Sequence, residues 1–374
     1  MKTKRVFILA TIGSFIGLPP VKQLHNFLKD YGEITTIQNT FNDFTNFLKT
    51  ANNRYTIHHY NSSKDFNNQS VILKVFKYLK LTFFLLFSII KNSFKKKEII
   101  IYSFDFFTIY LSVLFKTRKT KIIYHQFEIV EIEQINKIDA FLLSRIFKNF
   151  KKIDLAIFPE ANRMQYFKNL LKIYEDYQFF ILPNTNNNSG NIRIHKENKK
   201  VRVTHIGAVG ANHHLLSYLK AIELLPKEEF EFWFVGMLDR DSLKLIKKKK
   251  LKNIILTGQI PHEQLADIYL KTDIGVVLYK DRGLNYKYCA PNKLYEYWSY
   301  GIPVLGDKLP GLASVFINKD LGLLVDMNVS EQISFAFEQL GLLSKEKSQQ
   351  IKKLFDSTYH LDVFTNELKE KLKI

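Results

Sequence analysis

The sequence predicts an α/β protein built from two doubly wound domains, and three observations carry that expectation. Short apolar runs rich in β-branched residues alternate with helical spacing through both halves of the chain. Glycines such as Gly13, Gly207, Gly236 and Gly258 stand where those runs end, as strand-to-helix turns require. Between the halves, residues 184–200 read NTNNNSGNIRIHKENKK, which is linker composition. At 374 residues the chain is too long for one ordinary core. The expected division is a first domain over 1–183, the linker, a second domain over 201–345, and a helical segment over 346–374 that packs back across the junction.

In the first half, Arg5 to Thr11 reads as the opening strand and runs into a loop bounded by Gly13 and Gly17. Its basic start and apolar run resemble a secretory leader, but the run is strand-length and no small-residue cleavage site follows. Pro19-Pro20 opens a helix through Tyr31, and Ile34 to Gln38 is a second strand; residues 40–70 are polar and carry no assignable period. From Val71, the residues Ile72, Val75, Phe76, Leu79, Phe83, Leu86, Phe87 and Ile90 recur at helical spacing. Lys74, Lys77 and Lys80 precede the densest part, and Lys91 and Lys95 to Lys97 follow it. Such a helix is either a core-facing crossover or a lipid-facing patch, and its apolar stretch from Leu81 to Ile90 is too short to span a bilayer. Glu98 to Tyr102 and Lys121 to Tyr124 are further strands, with a helix over 106–116 between them. Polar groups follow each: Ser103 and Asp105, then His125, Gln126 and Glu128. A helix over 137–150, a strand from Ile153 to Phe158, a helix from Asn162 and a strand from Phe179 to Leu182 complete this half.

The second half repeats the alternation, with strands at Val201 to Ile206, Glu231 to Val235, Asn253 to Leu256 and Asp273 to Tyr279. The stretch from Tyr288 to Leu305, YCAPNKLYEYWSYGIPVL, organises the rest. Pro291 suits a helix start, Gly301 a helix end, and Ile302 to Leu305 is the next strand, so the unit is a parallel crossover. The helix start then lies beyond the carboxyl ends of the strands, where free N–H groups attract an anion. Asn292 and Glu296 share one face, which suits a diphosphate at the helix start and a ribose on Glu296.

Composition limits the function classes. With 55 Lys and Arg against 36 Asp and Glu, the net charge of +19 favours an anionic partner: nucleotide phosphates, acidic lipid or nucleic acid. Cys289 is the only cysteine, which excludes an intrachain disulfide and a cysteine metal cluster and fits a reducing, cytoplasmic setting. Asp239-Arg240-Asp241 has D-x-D spacing but reads as a helix start, so no metal and no cofactor is expected.

The segment P-N-K-L-Y-E-Y-x-x-x-G-I-P-V, followed by Pro310-Gly311, resembles the donor-binding segment of GT-B glycosyltransferases, particularly the retaining group called glycosyltransferase family 4. V-T-H-I-G, F-W-F-V-G, N-I-I-L-T-G-Q-I-P-H-E-Q-L and D-I-G-V-V-L-Y succeed one another as in that family's donor domain. I-I-I-Y-S-F-D, K-I-I-Y-H-Q-F-E and I-D-L-A-I-F-P-E-A-N-R resemble its acceptor domain. The resemblance implies two Rossmann-like domains facing a central cleft, and transfer of a hexose from a nucleoside-diphosphate sugar to a glycan or lipid-linked glycan. It implies that Gly207 and Gly210 line the phosphates, that Gln259 and Ile260 touch the base, and that Glu296 holds the ribose.

Several positions depart from the family. Its Arg and Lys after the first donor-domain strand are absent from GAVGANHH, and Lys293, Arg282 or Lys287 are the candidates to replace them. Tyr288 stands where the first of two family acidic residues belongs, and Phe104 and Phe127 stand where histidines are frequent. On the acceptor side the candidates are His125, Asp105 and Glu128. A catalytically silent scaffold, a sugar-nucleotide epimerase and a nucleic-acid-binding protein are the competing readings; an epimerase needs a carboxylate and histidine cluster that the sequence does not display, and no nucleic-acid motif is present.

Overall fold

The computed structural model describes residues 5–13, 18–40, 55–61, 71–129, 131–173, 178–188, 192, 200–210, 213–261 and 264–374. Gly17, residues 41–54 and 62–70, and most of 189–199 lie outside the described residues.

Among the described residues, the apolar runs form two all-parallel sheets. The first holds β1 (Arg5–Ala10), β2 (Glu33–Thr40), β3 (Tyr55–Asn61), β4 (Glu98–Ser103), β5 (Thr120–His125), β6 (Leu155–Phe158) and β7 (Phe179–Ile181), in the order β3-β2-β1-β4-β5-β6-β7. The second holds β8 (Val201–Ile206), β9 (Phe230–Val235), β10 (Ile254–Gly258), β11 (Ile274–Val277), β12 (Val304–Asp307) and β13 (Gly322–Val325), in the order β10-β9-β8-β11-β12-β13. Both are doubly wound, as the alternation of strand and helix predicts. In each, the order reverses beside the first strand, between β1 and β4 and between β8 and β11, and ligands of such sheets bind at the carboxyl ends of those strands. β3 falls in the polar region that carried no readable period.

The chain divides into two compact units. Unit 1 comprises Met1–Pro159, Arg163–Leu182 and Glu367–Ile374; unit 2 comprises Glu160–Asn162 and Pro183–Asn366. The start of the expected linker is built into unit 2: Asn184 Nδ2 donates to Ala290 O at 2.8 Å, and Thr185 donates to Tyr359 O.

The central strands of each sheet are buried on both faces, which is why they are almost continuously apolar. Phe7, Ile8, Leu9 and Ala10 of β1 have no exposure. In unit 2, β11 owes its shape to Gly275, where a Cβ would lie 2.4 Å from the Tyr297 ring. Tyr297 fills that space from the Asn292–Ser299 helix and ties the helix to β8, donating to Thr204 O at 2.8 Å and accepting from Ile206 N at 3.1 Å. Gly275→Ala is therefore expected to cost about 3 kcal/mol by overpacking. A thermal unfolding scan should show a fall of roughly 6–10 °C, and a midpoint within a degree of the parent would refute this account of the packing.

The Val71–Phe94 helix divides differently from the sequence reading. Among its described side chains, Leu81, Leu85 and Ile89 are the buried apolar ones, with Ser88 and Asn92 also buried. The recurring residues Val75, Phe76, Leu79, Phe83, Phe87 and Ile90 lie on the exposed face instead. Lys77 is turned inward at 7% exposure. No helix among the described residues is long and apolar enough to cross a membrane.

Candidate functional site

Unit 2 builds its site at the carboxyl edge of β8 and β11. Gly207, directly after β8, has φ +120, which a residue with a Cβ adopts only under strain. A Cβ there would also lie 2.8 Å from the Lys293 ammonium, so the lysine reaches across to this turn from the start of the Asn292–Ser299 helix. Pro291 offers that start no capping side chain. The backbone is tight on the other side too, because a Cβ on Gly236 would meet Gly207 O at 2.3 Å.

Around Lys293 stand His205, His213 and Tyr279. The His205 and His213 ring centroids are 6.1 Å apart, and the Lys293 Nζ is 5.8 Å from the Tyr279 ring. Burial pushes both histidines below their ordinary value, with the charge of Lys293 adding to the effect, so neither is cationic at neutral pH. Burial also lowers the Lys293 ammonium to about 8, and Glu296 opposes the fall. Lys293 thus stands beside the Gly207 turn, one helical turn before Glu296. Arg282 is exposed, and Lys287 lies over the Tyr288 ring at 5.8 Å.

Glu296 is half-buried and accepts a short hydrogen bond from the Tyr269 phenol. Tyr269 is stacked on Tyr300 at 5.0 Å, which fixes the phenol beneath the carboxylate. Sequence reasoning missed Tyr269; its only signal was an aromatic ending the apolar run LADIY. Asn292 is half-buried on the same helix. Gly210 turns its N–H to His213 Nδ1 at 2.9 Å, so that donor is already engaged. Gly258 O accepts from Gly236 N at 2.8 Å, which brings the end of β10 beside β9; Gln259 there is exposed and Ile260 packs against the cluster holding Tyr269 and Tyr297. A hollow of about 260 Å³ is lined by His213, His214, Lys220, Lys280 and Asn328 among others; Gly207, Lys293 and Glu296 do not line it.

In unit 1, Asp105 lies at the β1/β4 switch point and caps the Phe106–Leu114 helix. Its carboxylate accepts from Thr108 N at 2.9 Å and Ile12 N at 2.7 Å, so its structural work is extensive. Burial raises its pKa above the usual carboxylate value, and those hydrogen bonds oppose the rise. His125 ends β5 and stacks on Phe127 at 4.5 Å, with Phe104 at 5.7 Å. Its burial lowers the ring to about 3, so it is neutral. Glu128 is exposed on the following loop, its carboxyl raised by its surroundings and opposed by Arg163. The structure brings His125 together with Phe104 and Phe127, not with a carboxylate.

Residues 200–341 match the family model described as glycosyl transferases group 1. A structure of a glycosyltransferase from Rickettsia africae superposes with TM-score 0.72 at 16% identity over 99% of each chain. This is the GT-B glycosyltransferase fold. HepE from Anabaena, solved in complex with UDP and glucose, matches this GT-B chain with TM-score 0.69 at 11% identity over 99% of each chain. The lipopolysaccharide outer core galactosyltransferase WaaB matches with TM-score 0.68 at 12% identity, covering 98% of this chain and 99% of that one. No curated protein matches the sequence. The sequence match to group 1 glycosyltransferases thus covers residues 200–341, and the likeness in GT-B fold covers the whole chain.

Proposed function

We propose that this GT-B protein transfers a hexose, with retention, from a nucleoside-diphosphate sugar to a glycan or lipid-linked glycan acceptor in surface polysaccharide synthesis. It acts in the cytoplasm, in peripheral contact with the anionic inner face of the membrane, and needs no cofactor or metal. The observation that carries the donor assignment is the placement of Lys293 against the Gly207 turn, one helical turn from a Glu296 carboxylate held by Tyr269. A diphosphate leaving group needs a cation and free N–H groups where its charge develops, and a ribose needs a fixed acceptor for its hydroxyls. The HepE structures, which hold UDP with glucose or UDP-glucose, support a sugar nucleotide as the ligand here. On the acceptor side, Asp105, His125 and Glu128 line the carboxyl edge of β4 and β5, and His125 acts as a neutral hydrogen-bonding group.

The test is a thermal-shift panel of UDP, GDP, CDP and ADP with their sugar conjugates. One base should raise the midpoint selectively, since a ligand bound only to the folded state stabilises it. A flat response across the panel would overturn the donor site and favour a catalytically silent scaffold.

A further inference from the structure

The Val71–Phe94 helix exposes Phe76, Leu79, Phe83, Phe87, Ile90 and Phe94 at 45–84% of their surface. Their spacing places them in one stripe, roughly 27 Å long at the α-helical rise. A contiguous apolar surface of this kind marks an interaction site rather than ordinary exposure. Its border is basic. Lys80 Nζ lies 4.9 Å from the Phe76 ring and Lys91 Nζ 6.0 Å from the Phe87 ring, and Lys95 and Lys96 are exposed at the helix end. No Asp or Glu occurs from Val71 to Lys97.

We propose that this stripe lies in the interface of an anionic bilayer, so that unit 1 receives its acceptor as a lipid-borne substrate. The proposal deepens the glycosyltransferase reading and rests on it for the acceptor. Aromatic and aliphatic side chains enter the acyl boundary while the bordering lysines meet anionic headgroups. A second copy of the chain fits poorly, because a self-complementary contact would set these lysines against their own equivalents. The helix also points the right way. Tyr78, near its start, packs edge-on against Phe107 at 4.6 Å, and Phe107 follows Asp105 by two residues. The stripe therefore begins beside the acceptor-side edge of the sheet and runs away from it.

The test is flotation of the purified full chain with vesicles of phosphatidylcholine alone or mixed with phosphatidylglycerol, at low and high salt. The parent should float with the mixed vesicles at low salt. Phe83→Ser with Phe87→Ser, and separately Lys80→Glu with Lys91→Glu, should lower the bound fraction at least about tenfold. Both variants should keep the parent's melting temperature and its nucleotide-induced shift. With radiolabelled sugar nucleotide and total membrane lipid, label should enter the organic phase. Parent protein that ignores mixed vesicles, variants that float like the parent, or a parent dimer dispersed by the phenylalanine changes would each overturn the membrane surface. Label confined to the aqueous phase would overturn the lipid-borne acceptor. A flat nucleotide panel with intact flotation would instead remove the transferase reading and leave the bilayer contact standing.

Discussion

Replacing Lys293 with Met is expected to lower kcat/KM for the donor by about two to three orders of magnitude, mainly through kcat. The charge on the departing diphosphate grows in the transition state, so a cation placed there acts more strongly on the reaction than on ground-state binding. Lys293 reaches the Gly207 turn, and neighbouring His205 and His213 are held neutral, so neither can replace it at pH 7. The ammonium titrates at about 8 instead of 10.5 because it is buried. It is charged below that value, so donor turnover should hold up to about pH 8 and fall above it. Lys293→Arg should move this basic limb upward, and an unmoved limb would show that another group titrates. Stability has the opposite sign. Between about 8 and 10.5 the unfolded chain holds the proton that the folded chain has lost, so stability contributed by this group rises with pH across that window. Lys293→Met removes the cost of burying the charge, and its melting temperature should equal or exceed the parent's. A variant that is inactive because it unfolds would show the reverse.

Glu296→Ala should act on binding. A carboxylate accepting two ribose hydroxyls makes charge-assisted hydrogen bonds that are equally present in the bound substrate and the transition state, so KM should rise about a hundredfold with kcat within a fewfold of the parent. The preference for a ribonucleotide over its 2′-deoxy counterpart should disappear with it. Tyr269→Phe removes the phenol that orients the carboxylate and should give a smaller rise in KM, about tenfold, with part of the ribose preference kept. Glu296→Ala enzyme that still discriminates against the deoxynucleotide would place the ribose elsewhere.

Much of this was legible from local signals. Pro291 and Gly301 bracket a helix as expected, with the helix over Asn292–Ser299 and Gly301 at φ +72 just past it. Asp239 caps the Arg240–Lys249 helix, accepting from Ser242 N at 2.7 Å, as the reading of that D-x-D as a helix start predicts. What escaped depends on contacts between residues distant in sequence. Tyr269 meets Glu296 across 27 positions, and nothing local marks the tyrosine. The long helix was legible as a helix, but both its faces are apolar, so helical periodicity cannot say which one the sheet covers. Asp105 has polar neighbours at a strand end, which read as a ligand position, yet the same placement lets it cap a helix and hold Ile12 N.

The last eight residues, Glu367–Ile374, belong to unit 1, where Leu372 O accepts from Lys121 Nζ at 2.8 Å and Lys373 O from Arg5 Nη2 at 3.3 Å. During synthesis the strands of that unit leave the ribosome before unit 2, but the piece that closes it emerges after unit 2. At ordinary elongation rates the delay is roughly ten to forty seconds. Unit 1 must therefore wait, incompletely satisfied along β1 and β5, while all of unit 2 is made. Until those residues arrive, Arg5 and Lys121 have, among the described residues, only Glu98 to hold them, at 2.7 and 2.9 Å, so the last contacts of unit 1 form after unit 2 has been made.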